Sequence, residues 1–362
     1  MHWSALIKGA FLYLHNMFKK PKHILVIRNS AMGDVAMCVP VLVAFNKAYP
    51  QIKITVLTRE NFAPFFKNIP NTSVKIIQPE TTHKGFWGLN KLFWQLRRLK
   101  ITEVADLHNV LRSNILKGFF KVSGTPFEQI DKGREEKKLL TSWNNDKVLE
   151  PLVSTHERYV KVFKSLGYSF SLSAEDILPK EKLDEITREL AGTGIQKWIG
   201  IAPFAQHEAK EYPFKLMLQV IEELHKKNYK IFLFGGGKKE ANLLLNTAQK
   251  FENVVNAAGI LNMEKQLTLI SNLDAMISMD SGNGHLAAMY GIPVITVWGV
   301  THPYTGFAPF NQSDDNNILP DLIEYDKIPT SIYGNKVPPG YEKVMYSILP
   351  ERIIERVVSV VG

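Results

Sequence analysis

Residues 279–293 read MDSGNGHLAAMYGIP and lie between two mostly apolar runs, 273–278 before them and 293–298 after them. The pattern predicts a strand, then a turn with an acid, a hydroxyl and two glycines, then a helix that leads to a second buried strand. The first turn of a helix leaves backbone N–H groups free, and glycines let an anion approach them. The segment therefore fits a phosphate site, or simply a tight turn in which Asp280 caps the helix.

A second strand followed by a glycine-bearing turn lies near the start of the chain. The apolar run Ile24–Ile27 is followed by Arg28, Ser30, Gly33 and Asp34. This segment has neither the pattern G-x-G-x-x-G nor the lysine of a Walker loop. Its distinctive member is Asp34, which comes just past the end of the predicted strand. Ligands bind at that edge in open α/β sheets, so Asp34 is a candidate site residue.

Strand and helix patterns alternate along both halves of the chain, which is typical of parallel α/β sheets. The predicted strands are Ile24–Ile27, Ile54–Leu57, Val74–Ile77, Val104–Asp106, Trp198–Ile201, Ile231–Phe234, Ala275–Ser278 and Val294–Val297. The predicted helices are Pro40–Ala48, Leu89–Leu99, Arg112–Val122, Thr155–Leu166, Lys182–Leu190, Leu216–Lys226, Glu240–Gln249, Met263–Ile270 and Glu351–Val360. A chain of 362 residues is long for one core, so we predict two domains with a boundary near residues 172–180.

Composition and charge narrow the possible functions. Residues 1–175 hold 26 Lys and Arg against 13 Asp and Glu, whereas residues 176–362 hold 18 against 22. A basic amino-terminal half favours an anionic partner, but no nucleic-acid-binding signature is present, so we expect no nucleic acid. The single cysteine, Cys38, lies in an apolar run and is interpreted as a core residue of a protein from a reducing compartment. The histidines show no metal-ligand spacing.

Two stretches bear on membrane contact, although no apolar run reaches the ~20 residues of a membrane span. Residues 1–22 place apolar side chains on one helical face and contain four lysines. They predict an amphipathic helix that either lies on an anionic membrane or packs on the protein's own surface. Residues 86–100 combine aromatic side chains with cations: Trp87, Phe93, Trp94, Arg97, Arg98 and Lys100. We interpret most of those aromatic side chains as core, with a membrane-facing patch as the alternative.

Together these motifs resemble those of glycosyltransferase family 9, the ADP-heptose:lipopolysaccharide heptosyltransferases. The family begins with a strand and the motif Arg-x-Ser-x-x-Gly-Asp, matched here by Arg28, Ser30, Gly33 and Asp34. Its second half carries Asp-Ser/Thr-Gly-x-x-His-Leu-Ala-Ala before Gly-x-Pro, matched here between Asp280 and Pro293. A third motif, Lys-x-Trp-Pro, is matched by Lys210, Tyr212 and Pro213, with tyrosine in place of tryptophan. The resemblance spans residues 23–310.

The resemblance implies an α/β protein of the GT-B fold, with two facing doubly wound Rossmann-like domains and a central cleft. Residues 23–175 would bind the acceptor and residues 176–340 the nucleotide sugar. Residues 1–22 would be the amphipathic helix, and residues 341–362 a last helix that can pack back on the amino-terminal domain.

The resemblance also implies a function. The chain would be an inverting, metal-independent glycosyltransferase that moves a heptose or a similar sugar from an ADP-sugar. Its acceptor would be the lipopolysaccharide or lipooligosaccharide core, which is an anionic, lipid-linked oligosaccharide. The enzyme would need no cofactor, and would work in the cytoplasm as a peripheral protein at the inner membrane.

Site roles follow from the resemblance as well. Asp34 would take the proton of the acceptor hydroxyl, and Lys210, although its turn looks exposed, would stabilise the departing diphosphate. No Asp-x-Asp motif offers a metal site. The nucleotide and phosphate groups would be bound by Asp280, Ser281, Gly282, Asn283, Gly284, His285, Gly235, Gly236 and Glu240. The acceptor would be bound by Arg28, Ser30 and Arg112.

Other interpretations stay open at this point. Asp34 can cap or shape a turn, and His285 can be a satisfied core histidine. The donor can be a UDP- or GDP-sugar, and the chain can be a non-catalytic relative that binds a nucleotide sugar. A Rossmann-type oxidoreductase is disfavoured because G-x-G-x-x-G is missing.

Overall fold

The structure is a computed structural model that describes residues 21–144 and 147–362. The predicted helix at residues 1–22 therefore lies outside the described residues except for its last two positions. Each half of the chain forms one parallel sheet. Across the described ranges, we find no helix whose length and apolar content would let it cross a bilayer.

The first sheet has five parallel strands in the order β3-β2-β1-β4-β5. Their bounds are His23–Ile27 (β1), Lys53–Thr58 (β2), Thr72–Ile76 (β3), Glu103–Asp106 (β4) and Phe127–Gln129 (β5). The central strand β1 pairs with β2 on one side and with β4 on the other, so nearly all of it is buried. Burial on both faces is why β1 has a continuous apolar sequence rather than an alternating one. The strand order reverses between β1 and β4, where α/β sheets open a ligand crevice.

The second sheet has six parallel strands in the order β11-β10-β9-β6-β7-β8. Their bounds are Trp198–Ala202 (β6), Lys230–Leu233 (β7), Val254–Asn256 (β8), Ala275–Met279 (β9), Val294–Val297 (β10) and Asn317–Ile318 (β11). The strand order reverses between β6 and β9. Because β9 ends at Met279, the motif that begins at Asp280 starts at this second crevice.

Twelve α-helices connect and cover the two sheets within the described ranges. Those of the first half are Met32–Ala36 (α1), Cys38–Ala48 (α2), Gly85–Arg98 (α3), Leu111–Val122 (α4), Arg134–Leu140 (α5) and Thr155–Ser165 (α6). Those of the second half are Glu185–Ala191 (α7), Phe214–Lys226 (α8), Gly237–Ala248 (α9), Met263–Ile270 (α10), Gly282–Ala288 (α11) and Pro350–Val361 (α12). No helix or strand lies between Ser165 and Glu185, which are both in described segments.

The core consists of three hydrophobic clusters. One joins the two halves, because it contains side chains of α2 and α6 together with those of α11. A second fills the far side of the second sheet under α8 and α12. The third lies between the first sheet and the outer helices α3 and α4. Hydrogen bonds also cross between the halves: Leu152 N donates to the Tyr304 carbonyl at 3.0 Å, and Trp143 Nε1 to that of Thr330 at 3.1 Å.

The structure confirms the eight predicted strands and every predicted helix that lies within the described residues, with shifts at their ends. The edge strands β5, β8 and β11 and the short helices α1 and α5 were missed, because each is too short to show a clear period. The second helix starts at Cys38 rather than Pro40. Proline is tolerated there because the first turn of a helix has no intrahelical partner for its N–H groups.

One packing expectation is wrong. The last helix, α12, does not return to the amino-terminal domain but packs on α8, β9 and β10 of the second sheet. Its buried side chains, among them Ile353 and Val357, belong to the cluster of that domain. The sequence predicted this helix but could not identify which surface it covers. The interpretation of Cys38 as a core residue is confirmed, since its side chain is fully buried.

Candidate active site

The two glycine-bearing motifs meet where the two domains touch. Helix α1 packs against α11. A methyl group added to Gly33 would lie 2.7 Å from Cδ2 of His285, and one added to Gly282 would overlap the side chain of Met32. Both glycines are therefore needed for the close approach of the domains, whatever ligand the turns bind.

A cleft of about 390 Å³ lies beside this contact, at the carboxyl ends of the strands of both sheets. A volume of that size suits a small organic ligand. Both domains contribute to its lining, as the paired motifs predicted. Ten of the predicted site residues line it: Asp34, Lys210, Gly235, Gly236, Glu240, Asp280, Ser281, Gly282, Asn283 and His285.

Lys210 and Asp280 form a buried ion pair in the cleft, with 3.0 Å between Lys210 Nζ and Asp280 Oδ2. The same carboxylate oxygen accepts a hydrogen bond from Thr301 Oγ1 at 2.8 Å. The expectation of an exposed turn at Lys210 is thus wrong, because only 12% of its side chain is accessible. The capping alternative for Asp280 is also wrong, since Ser281 occupies the cap position of α11.

Asp34 enters the cleft from the amino-terminal domain, in the first turn of α1. Its Oδ2 lies 2.6 Å from Nη2 of Arg28 and accepts a hydrogen bond from the backbone N–H of Ala31 at 3.3 Å. Its other oxygen, Oδ1, has no hydrogen-bond partner within the described residues and is free to accept a proton. Asp34 is therefore held in place through one oxygen only, as a positioned base requires.

Four predicted site residues do not line the cleft. Arg28 is buried and uses its guanidinium on Asp34 and on the Leu107 carbonyl, so it holds the Asp34 side chain in place. Arg112 Nη2 lies 3.6 Å from Oε1 of Glu80. Neither Arg112 nor Ser30 is among the residues that line the cleft. Gly284 packs against Ser278 and Val294, so it allows α11 to lie close to the sheet and does not reach a ligand.

His285 lies between the two domains and is buried. Burial lowers the pKa of His285 below its usual value, although the Asp280 and Asp34 carboxylates act in the opposite direction. The imidazole is therefore neutral at neutral pH. Its Nδ1 is buried without a hydrogen-bond partner in the described part of the chain, and the residue lines the cleft.

The turn after β7 also lines the cleft, next to the turn that carries Lys210. Glu240 Oε2 accepts a hydrogen bond from the Gly236 N–H at 2.7 Å, which orders the glycines of this turn. A methyl group on Gly235 would lie 3.2 Å from the same oxygen, so glycine is needed for the carboxylate to sit there. Glu240 thus lines the cleft with a fixed carboxylate, which is suited to hold hydroxyl groups.

Several lining residues were missed by sequence reasoning: Met32, Phe204, Gln206, Phe307, Ile332 and Tyr333. Ile332 and Tyr333 belong to a tight turn in which Ser331 Oγ accepts from the backbone N–H groups of Tyr333, Gly334 and Asn335. Gly334 of this turn lies directly against the stem of Lys210 and explains its burial. Residues 311–340 are mostly polar with several prolines and glycines, and nothing local in their sequence reveals this contact.

Two lysines of the amino-terminal domain also lie close to Asp34. Lys137 Nζ is 4.3 Å from the ring centroid of Phe307, which lines the cleft. Burial lowers the pKa of Lys137 to about 8, helped by the Arg158 charge and opposed by that of Asp34. Burial likewise lowers the pKa of Lys132, and Asp34 again opposes it. For both lysines the nearby Asp34 carboxylate raises the pKa and so favours the charged form.

Within residues 21–144 and 147–362, no three His, Cys, Asp or Glu side chains converge as metal ligands would. The metal-free mechanism therefore stays a prediction. The positive charges available to an anionic leaving group in this structure are those of Lys210 and, on the other wall, the lysines near Asp34.

Comparisons with known proteins agree with this geometry. The family model for glycosyltransferase family 9 (heptosyltransferase) matches residues 89–328. The chain is 25% identical to the lipopolysaccharide core heptosyltransferase OpsX of Haemophilus influenzae, over 82% of this chain and 84% of that protein.

Solved structures support the fold. A glycosyltransferase family 9 structure from Veillonella parvula matches with a TM-score of 0.73 at 19% identity, covering 94% of this chain and 98% of that one. The E. coli heptosyltransferase WaaC with ADP matches with a TM-score of 0.60 at 22% identity, covering 80% and 92%. The two parallel-sheet domains, the cleft between them and the family match over most of the chain lead to one conclusion: this chain belongs to glycosyltransferase family 9 and has the GT-B fold.

Proposed function

We propose that the protein transfers a heptose or a similar sugar from an ADP-sugar to the core of lipopolysaccharide or lipooligosaccharide. The reaction inverts the anomeric centre and uses no metal ion. It takes place in the cytoplasm, with the protein bound peripherally at the inner membrane, where a lipid-linked acceptor would be presented. The names of the relatives supply the sugar and the acceptor, and the ADP in the related WaaC structure supplies the nucleotide.

The observation that carries the proposal is the pair of opposed groups in one cleft. Asp34, with a free carboxylate oxygen, comes from the amino-terminal domain, and Lys210 comes from the carboxyl-terminal domain. Inversion needs a base on one side of the sugar and a group that stabilises the leaving diphosphate on the other. A sugar between these two residues would meet both requirements in a single displacement.

In this reaction Asp34 Oδ1 accepts the proton of the acceptor hydroxyl as its oxygen attacks the anomeric carbon. The bond from that carbon to the diphosphate breaks, and Lys210 stabilises the charge that develops on the leaving oxygen. The neutral imidazole of His285 and the loop Ser281–Asn283 lie in the same wall as Lys210 and would hold the phosphates. Glu240, on the neighbouring turn, would bind ribose hydroxyls.

The positive side of the amino-terminal domain supports an anionic acceptor. A polar depression on the same domain is lined by Asn109, Asn114, Lys132 and Arg134 together with the carboxylates of Asp131 and Glu135, so its cations are balanced. Lys132 and Lys137 were not predicted, and they replace Arg28 and Arg112 as candidate contacts for acidic groups of the acceptor.

Metal independence is tested by transfer assays in EDTA. Full-length protein should transfer heptose from ADP-heptose at the same rate with and without the chelator, because Lys210 supplies the charge that a metal would otherwise supply. ADP release and glycosylated acceptor are measured together. Activity that is lost in EDTA and restored by Mg²⁺ or Mn²⁺ would contradict the metal-free step.

A further inference from the structure

The outer surface of the amino-terminal domain carries an unusual pair of helices. Helices α3 and α4 pack side by side over the first sheet. Together, residues 85–98 and 111–122 contain six Lys and Arg and no Asp or Glu. Ordinary solvated helices mix both signs of charge, so a pair with cations alone is suited to an anionic partner.

The exposed face of α3 alternates tryptophans with cations. Trp87, Lys91, Trp94 and Arg98 follow one another at spacings of four, three and four residues, which places them in one stripe along the helix. We call these four residues the outer stripe. Trp87 is 80% exposed and Trp94 59% exposed, although tryptophan usually buries most of its surface. The opposite face of α3 is buried in the core through Leu89, Leu92, Phe93 and Leu96.

Neighbouring aromatic side chains support the two exposed tryptophans. The rings of Phe93 and Trp94 lie 5.4 Å apart, and Phe119 of α4 contacts both Phe93 and Phe86 at 5.4 Å. Phe86, itself exposed, contacts Trp87 at 5.5 Å. An aromatic row therefore supports the exposed rings, so they project as a fixed apolar surface.

Among the residues that the structure describes, four of the six cations on α3 and α4 are not engaged in ion pairs, whereas Lys117 donates to Gln129. Lys91, Arg97, Arg98 and Lys121 make no ion pair within the described residues. Arg112 pairs only weakly with Glu80, at 3.6 Å. An exposed tryptophan prefers the boundary between lipid headgroups and acyl chains, and unpaired cations around it prefer anionic headgroups.

We propose that the outer stripe, with Phe86 and Lys121 beside it, docks the protein on an anionic lipid bilayer. This docking surface rests on the proposed function in that it presumes a lipid-linked acceptor. Helix α3 follows β3, whose carboxyl end lies on the cleft side of the first sheet, and Phe86 and Trp87 lie in the first turn of that helix. Docking through this stripe leaves the nucleotide-binding domain in solution and brings the acceptor side of the cleft to the membrane.

The test is co-sedimentation of full-length protein with vesicles of phosphatidylcholine alone or with 30 mol% phosphatidylglycerol. Wild type should bind only the anionic vesicles, and high salt should weaken this binding. Each cation near an anionic leaflet raises the partition coefficient about fivefold, so Lys91→Gln/Lys121→Gln should lower it ~25-fold. Trp87→Ala/Trp94→Ala should lower it on the order of tenfold or more.

Matched controls come from the other domain. Lys227→Gln/Lys250→Gln removes two exposed cations that lie just after α8 and α9. Ile323→Ala/Tyr346→Ala removes two exposed apolar side chains. Both control variants should sediment like wild type. All variants should keep the melting temperature and the ADP affinity of wild type, because none of these side chains lines the cleft.

Vesicle binding that is unchanged in both stripe variants would overturn the proposal, as would equal binding to neutral vesicles. Binding that depends on Trp3 and Phe11 but not on the stripe would assign membrane contact to the amino-terminal segment instead. Stripe variants that lose a protein or nucleic acid partner while still binding vesicles would also count against it. Failure of the proposed function would give a different result. The protein would still bind anionic vesicles, but it would neither bind ADP nor transfer sugar to a water-soluble, deacylated acceptor.

Discussion

Asp34→Asn should slow sugar transfer by ~10²–10⁴-fold and leave ADP binding nearly unchanged. The substitution keeps the shape of the side chain but removes the basic oxygen that would take the acceptor proton. The diphosphate is expected on the other domain, next to Lys210, so the affinity for ADP should be preserved. Single-turnover transfer and calorimetric ADP titration measure the two quantities separately.

Asp274→Asn provides the control for this substitution. Asp274 also pairs with a cation, Lys197, at 3.2 Å, and accepts a backbone N–H, that of Trp198, at 2.8 Å. It lies just before β9, at the amino-terminal end of that strand and away from the cleft, so this variant should transfer at the native rate. If Asp34→Asn does so too, Asp34 only stabilises its turn together with Arg28.

Lys210→Ala should weaken ADP binding by ~1.5–3 kcal/mol, which corresponds to roughly 10- to 150-fold in Kd. Removing the ammonium group takes away a charged hydrogen bond to the diphosphate. It also leaves the buried Asp280 carboxylate with only Thr301 as a partner, so the variant should be less stable as well. Calorimetry gives the affinity and thermal unfolding gives the stability.

The double variant Lys210→Met/Asp280→Asn separates the two effects. It removes both charges at once, so stability should recover while ADP affinity stays low. Lys197→Ala removes a lysine from an ion pair of similar length outside the cleft and should leave ADP affinity intact. Native ADP affinity in Lys210→Ala would show that the lysine only neutralises Asp280.

The sequence predicted the fold well because its strands are buried on both faces. Apolar runs such as Ile24–Ile27 and Val294–Val297 indicate a parallel sheet that is covered on both faces. The glycine-bearing turns mark the strand ends where the cleft opens. Asp34, Lys210 and Asp280 were found through motifs, and the structure brings all three into one cavity.

The rest could not be predicted because it depends on contacts between distant segments. Arg28 was expected at the acceptor, yet the fold buries it against the Leu107 carbonyl and turns it towards Asp34. Ile332 and Tyr333 reach the cleft only because the turn at Ser331 packs on Lys210. Trp87 and Trp94 were interpreted mainly as core, but Phe93 is the only aromatic residue of that stretch that is buried. Helical spacing shows which residues of α3 share a face. It does not show which of the two apolar faces packs on the sheet.

The claim on which the account most depends is that the cleft holds an ADP-linked sugar. Thermal unfolding of the full-length protein with ADP, UDP and GDP tests it directly. ADP at about 100 times its Kd should add ~2.7 kcal/mol to the free energy of unfolding. The account predicts that ADP raises the melting temperature most, and that this rise is lost in Lys210→Ala. A larger rise with UDP or GDP, or no rise with any of the three, would contradict it.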